Sequence, residues 1–183
     1  RVLVPSTPFD AKGLLKRALR CHDPVLFMEP REILTVKGPV PEGDYEIEFG
    51  KASIVRPGED VTVVAIGHML HHASAAAQRL QDDDKLLVEV IDPRTVSPLD
   101  TQTILDSVSR TGRMLIVDET PAACGVGAEI SARIGESGFD ELDAPIKRLN
   151  GAFAPTPYSP ALEAAVVPNV ESVVGAIRDL LRE

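Results

Sequence analysis

The chain has little of what would mark several common protein classes. It has only two cysteines, Cys21 and Cys124, and no CxxC spacing, so we predict free thiols in a reducing compartment and no zinc or disulfide framework. No apolar run approaches the length of a membrane span, no signal peptide opens the chain, and no solenoid repeat is present. These absences predict a soluble protein without a membrane partner.

Basic residues are also scarce. The chain has 19 lysines and arginines against 28 aspartates and glutamates, which gives a net charge of −9. Phosphate recognition requires a basic face, so we expect no nucleic-acid partner, and a positively charged partner suits the charge better. At 183 residues the chain can bury a substantial core, either as one domain plus a smaller piece or as two small domains.

The stretch from Leu86 to Glu119 organises the predicted fold. Residues 86–91 are apolar and rich in β-branched side chains, which is typical of a strand buried on both faces. Residues 97–100 supply helix-start chemistry, Gly112 ends the helix, and residues 114–117 restore a buried strand. The stretch therefore predicts a βαβ unit.

Similar patterns extend this unit in both directions. They predict strands at 2–4, 25–28, 52–55, 61–66 and 144–149, and helices from Pro8, from Met69, over 128–139 and from Pro168. The prediction is an α/β protein with a mostly parallel sheet flanked by helices, preceded by a partial α/β unit. Prolines and glycines over 32–49 indicate a linker, and residues 153–160 an extended arm. Because the chain opens with Arg1 on a strand-like run, we expect a fragment whose natural N-terminus lies upstream.

Three patterns could carry chemistry, and each has a structural alternative. His68 and His72 have the i, i+4 spacing of a metal-binding pair, but no local carboxylate or thiolate joins them, which favours a solvated helix start. Asp118 and Glu119 stand at a carboxyl strand end, where α/β folds place ligands. Neighbours on a strand point to opposite faces, however, and this favours a structural role over an acid/base pair.

The third pattern is the glycine-containing stretch from Cys124 to Glu129. It follows a strand and opens a helix, as a dinucleotide-binding loop does, but Ile130 occupies the third glycine position and a loop separates the glycines from the strand. Close helix packing, or a backbone turn at a subunit contact, is the favoured interpretation.

A family resemblance rests on long motifs across the whole chain. In order, these are VPSTPFDAKGLLKRAL, PVLFMEP, VPEGDYEIEFGKASIVRPGEDVTVVAIG, EVIDPRTVSPLDTQTILDSVSRTGR, VDET, GVGAEI, DAPIKRLNG and PTPYSPALE. Together they resemble the β subunit of the E1 component of 2-oxo acid dehydrogenase complexes, thiamine diphosphate enzymes of the transketolase superfamily that act on pyruvate, branched-chain 2-oxo acids or acetoin.

The resemblance implies a domain division and an activity. Residues 1–31 would be the tail of a pyrimidine-binding domain, 32–49 a linker, and 50–183 a transketolase C-terminal-like domain. The implied activity of the full enzyme is oxidative decarboxylation of a 2-oxo acid with acyl transfer to a lipoyl group. A transketolase or deoxyxylulose-phosphate synthase relative, and an interaction module without chemistry, are the alternatives. The implied location is the cytoplasm, with the mitochondrial matrix as the alternative.

The resemblance also implies where the cofactors bind. The family's catalytic residues lie upstream of Arg1, so no catalytic residue is assigned here and Glu29 is expected to be structural. Thiamine diphosphate with magnesium is expected in the full enzyme and not on residues 1–183 alone. The family suggests a potassium ion bound by the carbonyls of Ala18 and Leu19 and the side chain of Asp23, where Cys21 replaces the usual aspartate.

The implied partners are an E1 α subunit, a second E1 β subunit and the basic subunit-binding domain of the acyltransferase, E2. Phe153 stands near the position where the family carries an aspartate that contacts E2, and Cys124 stands where the family usually has glycine. The residues expected at a subunit interface are Gly125, Val126, Gly127, Glu129, Pro155, Pro157 and Tyr158.

Overall fold

A computed structural model describes all residues from Arg1 to Glu183. The strands are β1 (Val2–Leu3), β2 (Leu26–Phe27), β3 (Ser53–Arg56), β4 (Val61–Ala65), β5 (Val88–Asp92), β6 (Thr95–Ser97), β7 (Met114–Pro121) and β8 (Lys147–Gly151). The helices are α1 (Pro8–Arg20), α2 (Met69–Asp84), α3 (Thr101–Thr111), α4 (Val126–Ser137), α5 (Pro160–Val166) and α6 (Val170–Leu180), with short 3-10 turns at Arg31–Thr35 and Phe139–Glu141. This alternation confirms the predicted α/β class.

The central sheet has five strands in the order β3-β5-β4-β7-β8. Strands β4, β5, β7 and β8 are parallel, and β3 adds antiparallel to β5 at one edge. All residues of β4 and β5 are buried. Helices cover both faces of the sheet, so these strands have no solvent-exposed side and show no alternation of apolar and polar residues.

Helices α2 and α6 pack on one face of the sheet, and α3 and α4 pack on the other. The apolar side chains that recur at helical spacing along α2 and α6 are packed in the larger core. Helix α3 is capped at its start by Asp100, whose carboxylate accepts a hydrogen bond from the Thr103 backbone at 3.2 Å, and at its end by Gly112, which has a φ of 64°. Beneath α3, the buried Thr62 hydroxyl shares hydrogen bonds with Ser107 and Thr111.

A smaller sheet of order β2-β1-β6 lies at the N-terminal side. Strands β1 and β2 are parallel and are joined by α1, whereas β6 is antiparallel to β1 and was not predicted. We call residues 1–29, which contain β1, α1 and β2, the N-terminal unit. Leu14, Leu15, Ala18 and Leu19 recur at the helical spacing that predicts an apolar stripe on α1. Only part of this stripe is buried: Leu14 packs beside Leu3, whereas Leu15 and Leu19 are exposed.

Residues 32–49 contain no strand and one 3-10 turn, but they are attached to α1 along their second half. The Tyr45 hydroxyl donates a hydrogen bond to the Phe9 carbonyl at 2.9 Å, and the two rings stack with centroids 4.7 Å apart. Ile47 is buried in the small core with Leu3 and Leu14. This segment therefore packs as part of the folded structure.

The C-terminal elements differ from their predicted bounds. Strand β7 continues to Pro121, beyond the residues 114–117 that the sequence predicts as a strand, and β8 begins at Lys147 rather than residue 144. The extended arm runs over 153–159, because Pro160 starts α5 in the helix position that needs no backbone donor.

Residues 160–180 are apolar enough in composition for a membrane span, contrary to the expectation that no such run exists. The segment is divided, however, because α5 ends at Val166 and Asn169 caps a separate helix through a reciprocal capping box with Ser172. Neither helix has the roughly 20 residues that a span requires. The apolar face of α6 packs against the sheet, which explains its composition.

Candidate functional site at the carboxyl edge of the sheet

Two adjoining cavities of about 500 Å³ and 490 Å³ lie at the carboxyl ends of β4 and β7. They share Glu32, Glu119 and Thr120 and so form one cleft. This edge is where open α/β sheets bind ligands, and the volumes lie within the range of small-molecule sites. The first cavity also contacts the start of α2 and the arm, while the second runs between the central sheet and the N-terminal unit.

The cleft is acidic. Burial raises the pKa of Glu119, and the nearby carboxylates of Glu32, Asp118 and Glu163 raise it further. Such mutual repulsion favours a cation or a hydrogen-bond donor near Glu119 over a further anion.

The histidines at the start of α2 are half-buried rather than solvated. Burial lowers the pKa of His68, and the neighbouring His72 and His71 lower it further. His71 Nε2 lies 2.9 Å from the Ser6 carbonyl and His72 Nδ1 lies 2.9 Å from the Pro168 carbonyl, so both rings hold other segments in place.

The arrangement does not favour the alternative of a histidine metal pair. The rings of His68 and His72 meet edge to face with centroids 4.8 Å apart. No group of three or more histidine, cysteine, aspartate or glutamate side chains converges anywhere in the chain in a way that could hold a metal ion.

Asp118 and Glu119 have different surroundings, as the strand geometry predicts. Both oxygens of the buried Asp118 carboxylate accept hydrogen bonds from Thr120, at 3.0 Å from its backbone N–H and 2.7 Å from its hydroxyl. Glu119 instead lines both cavities. Asp118 therefore shapes the strand end, whereas Glu119 faces the cleft.

The glycine-containing stretch starts α4 and packs it against the sheet. Gly127 is buried, and a side chain added there would place its Cβ 3.3 Å from Ile116 Cγ2. Cys124 has a φ of 58°, a left-handed conformation that glycine adopts more readily than cysteine. These features match the expected close helix packing.

The other predicted interface residues lie on the surface. Glu129 is exposed, and its carboxylate accepts a hydrogen bond from Arg133 of the same helix at 2.7 Å. Pro155 and Pro157 lie on the arm with Tyr158, whose side chain is 96% exposed. A side chain with so little contact contributes little to the packing of this chain.

The residues predicted to bind potassium lie at the end of α1. Cys21 Sγ lies 3.2 Å from the Ala18 carbonyl, which it can hydrogen-bond, and Leu19 precedes it in the last helical turn. The Asp23 carboxylate forms an ion pair with Arg1 at 2.8 Å. The oxygen atoms predicted to bind potassium thus belong to residues that are close in sequence, but the Asp23 carboxylate is paired with Arg1. Glu29 is exposed and lies at the rim of the second cavity.

Sequence reasoning missed one cluster of buried charge. Asp10, Asp92 and Arg94 come together although they belong to different predicted units. In the sequence, Asp92, Pro93 and Arg94 indicate only where the strand predicted over 86–91 ends. The one available signal was an arginine immediately after a strand-ending aspartate and proline.

Comparison with known proteins places this fold in a family. Residues 50–173 match the transketolase C-terminal domain, so the chain belongs to that family. A solved structure described as "Split gene transketolase, inactive beta4 tetramer" superposes with a TM-score of 0.80 over 99% of this chain and 57% of the other. At 22% identity this likeness shows the fold alone.

More specific relatives are β subunits. The chain is 42% identical over its whole length to the β subunit of acetoin:2,6-dichlorophenolindophenol oxidoreductase of Cupriavidus necator, covering 54% of it. It is 44% identical to the 2-oxoisovalerate dehydrogenase β subunit and 40% identical to the pyruvate dehydrogenase E1 β subunit of Bacillus subtilis, covering 98% and 99% of this chain and 55% of each relative. The chain thus spans about half the length of the curated relatives it matches.

Proposed function

We propose that the chain is the C-terminal part of an E1 β subunit of a 2-oxo acid dehydrogenase complex. In the complete assembly it supports thiamine diphosphate-dependent oxidative decarboxylation and acyl transfer to lipoyl groups. The supporting observation is identity of about 40% or more with three kinds of such subunit over nearly the whole chain. The three identities are too similar to select acetoin, pyruvate or 2-oxoisovalerate, so the proposal stops at this substrate class.

The proposed domain division is 1–31 as the tail of a pyrimidine-binding domain, 32–49 as linker and 50–183 as the C-terminal domain. Two observations support it. Residues 1–29 hold a parallel β1-α1-β2 unit, and the family match begins at residue 50. Tyr45 and Ile47 tie the linker to α1, so the linker would move with the first domain.

Residues 1–183 do not fit a thiamine diphosphate site. A diphosphate bound through magnesium needs convergent oxygen ligands, and no suitable group of acidic or histidine side chains is present. The carboxylates around Glu119 would also repel an anionic cofactor. We therefore propose that the catalytic residues lie upstream of Arg1 and that the α subunit holds the diphosphate. Calorimetric titration of residues 1–183 with thiamine diphosphate and magnesium should show no saturable binding, and micromolar binding would contradict this.

The proposed partners are an E1 α subunit, a second β subunit and the E2 subunit-binding domain. Phe153 and Tyr158 on the arm are 86% and 96% exposed, and Leu162 on α5 is also exposed. Such an apolar surface fits a protein contact. The net charge of −9 would attract the basic E2 domain, although Phe153 in place of an acidic residue weakens that attraction locally. E2 binding that does not respond to salt would reject an electrostatic contact.

The proposed potassium site uses the carbonyls of Ala18 and Leu19 with Asp23. The end of a helix leaves carbonyls free to bind a cation, which supports the proposal. Cys21 is a poor substitute for an oxygen ligand of a hard cation, and Asp23 would have to leave Arg1. A potassium titration that raises the thermal midpoint of the full-length enzyme, with sodium as control, would support the site. An unmoved midpoint would reject it.

The overall proposal is tested with the full-length protein and its α subunit. We expect reduction of 2,6-dichlorophenolindophenol with one of acetoin, pyruvate or 2-oxoisovalerate, dependent on thiamine diphosphate. Ketol transfer between sugar phosphates instead would identify a transketolase relative. Absence of every activity, with stable partner binding, would identify an interaction module.

A further inference from the structure

A buried charged cluster lies where the N-terminal unit meets the central sheet. Ser6 and Asp10 come from the N-terminal unit, and Asp92 and Arg94 come from the end of β5 and the turn after it. Ser6, Asp10 and Asp92 are 0%, 2% and 0% exposed, and none of the four residues lines either cavity. We call these four residues the Asp92 cluster.

Arg94 connects the two sides of the cluster. Its Nε lies 2.7 Å from Asp10 Oδ1, a close ion pair without hydrogen-bond alignment. Its backbone N–H donates to Asp92 Oδ1 at 2.9 Å, and its carbonyl accepts from the Val4 N–H at 2.9 Å. The residue has a φ of 57°, so the turn adopts an uncommon conformation to make these contacts. The attachment of the N-terminal unit therefore depends on this turn.

The charges of the cluster do not balance when both carboxylates are ionised. Two aspartates face one guanidinium. The other titratable side chains near the cluster are Tyr45, whose pKa is raised by burial and then by the Asp10 charge, and His71 of α2, whose ring contacts the Ser6 carbonyl. The buried Ser6 hydroxyl is close enough to Asp92 to favour its ionised form, but neither this hydroxyl nor Asp92 Oδ2 makes a well-aligned hydrogen bond. An unpaired buried charge is costly, whereas a protonated carboxyl is neutral and can donate a hydrogen bond to a nearby hydroxyl.

Burial, and then the negative charge of Asp10, raise the pKa of Asp92 to about 7. The Arg94 backbone N–H, the Ser6 hydroxyl and the Arg94 charge act in the opposite direction and do not outweigh them. We propose that the Asp92 cluster is a proton-linked joint, which holds the N-terminal unit on the central sheet more firmly when Asp92 carries a proton. An aspartate freed from the cluster would titrate near pH 4. The folded state therefore keeps a proton that the opened state has lost, and the joint weakens as the pH rises from about 4 to about 7 and stays constant above that.

Hydrogen exchange in the full-length protein tests the joint where it acts. After correction for the intrinsic exchange rate, protection of the amides in β1 and β6 should fall about 30-fold between pH 5.5 and 8. This factor follows from a carboxyl that titrates near pH 7 in the closed state and near pH 4 in the opened state. Amides of α6 serve as an internal reference, because they lie in the other core. The variant Asp92→Asn, which keeps the shape and cannot ionise, should abolish the difference between the two pH values.

Two further variants make the test specific. Asp118→Asn alters another buried carboxylate, on β7 of the same central sheet, whose two oxygens both accept hydrogen bonds from Thr120, and should keep the wild-type pH dependence. Asp10→Asn removes the repelling charge and should move the midpoint of the wild-type transition to lower pH. A wild-type protein with no pH dependence in β1 and β6 would overturn the proposal. So would an Asp92→Asn variant that keeps the pH dependence, or an unmoved midpoint in Asp10→Asn.

Discussion

Two glycines of α4 permit a direct test of how this helix packs. A side chain at Gly127 would place its Cβ 3.3 Å from Ile116 Cγ2, whereas one at Gly135 would meet no atom within 4 Å. Gly127→Leu and Gly135→Leu therefore make the same chemical change in the same helix, but only the first adds volume between helix and sheet. Both should gain the same roughly 0.5–1 kcal/mol from replacing a helical glycine.

The difference between the two variants isolates the packing cost. Extra carbons forced into a close-packed core cost about 1–3 kcal/mol. Gly135→Leu should therefore be slightly more stable than wild type, and Gly127→Leu should unfold at a temperature lower than Gly135→Leu by about 2–12 °C, given about 2–4 °C per kcal/mol at this chain length. Calorimetry of both variants measures this difference.

The same pair bears on the proposed interface. If Gly127 acts by packing α4 on its own sheet, the thermal difference appears whatever the oligomeric state. Light scattering at several concentrations then shows whether self-association changes as well. Equal thermal midpoints for the two variants would refute the packing argument, and lower mass without a thermal difference would assign Gly127 to the subunit contact alone.

Other variants test single elements of the fold. Burial raises the pKa of Asp100, but hydrogen bonds from Ala52 and Thr103 outweigh it and leave this pKa lowered; Asp100→Ala should cost about 1–2 kcal/mol at neutral pH. Because a lowered pKa stabilises the fold only while the carboxylate is ionised, denaturant titrations should show the cost disappearing as the pH falls below about 4. Thr62→Val should cost about 1–3 kcal/mol by leaving buried hydroxyls unpaired, and an unchanged denaturation midpoint would contradict that network. Ile134→Ala should cost about 2–5 kcal/mol by opening a cavity beneath α4, and a loss below 1 kcal/mol in the same titration would mean that the site collapses.

The sheet and its covering helices could be predicted because their signals are local. The first four residues of β4, 61–64, are all β-branched, and α3 carries both a capping aspartate and a terminating glycine. Each element could thus be recognised without knowing its neighbours. The family resemblance added the order of the domains, which composition had left open between two arrangements.

The elements that were missed depend on distant partners. Strand β6 has three residues and exists because it pairs with β1, almost a hundred positions earlier in the chain. The last residues of β7 are polar, and they are held by pairing of Asp118 with Asn150 and of Pro121 with Gly151 across a register shift. Leu19 lies on the predicted apolar stripe but is exposed, because the small core reaches only one side of α1. None of these contacts leaves a periodic signal in the sequence.

The start of α4 shows why a glycine pattern alone does not define a phosphate site. A helix N-terminus attracts an anion through its free N–H groups and its dipole. Here a Cβ added at Gly125 would lie 3.7 Å from Asp118 Oδ2, so the chain's own buried carboxylate already faces this helix end. A dinucleotide phosphate at the same place would bring a second negative charge beside Asp118, close to the acidic cleft around Glu119. The glycines are therefore better explained by the close approach of α4 to the sheet, and the negative charge that the helix end favours is supplied from within the fold.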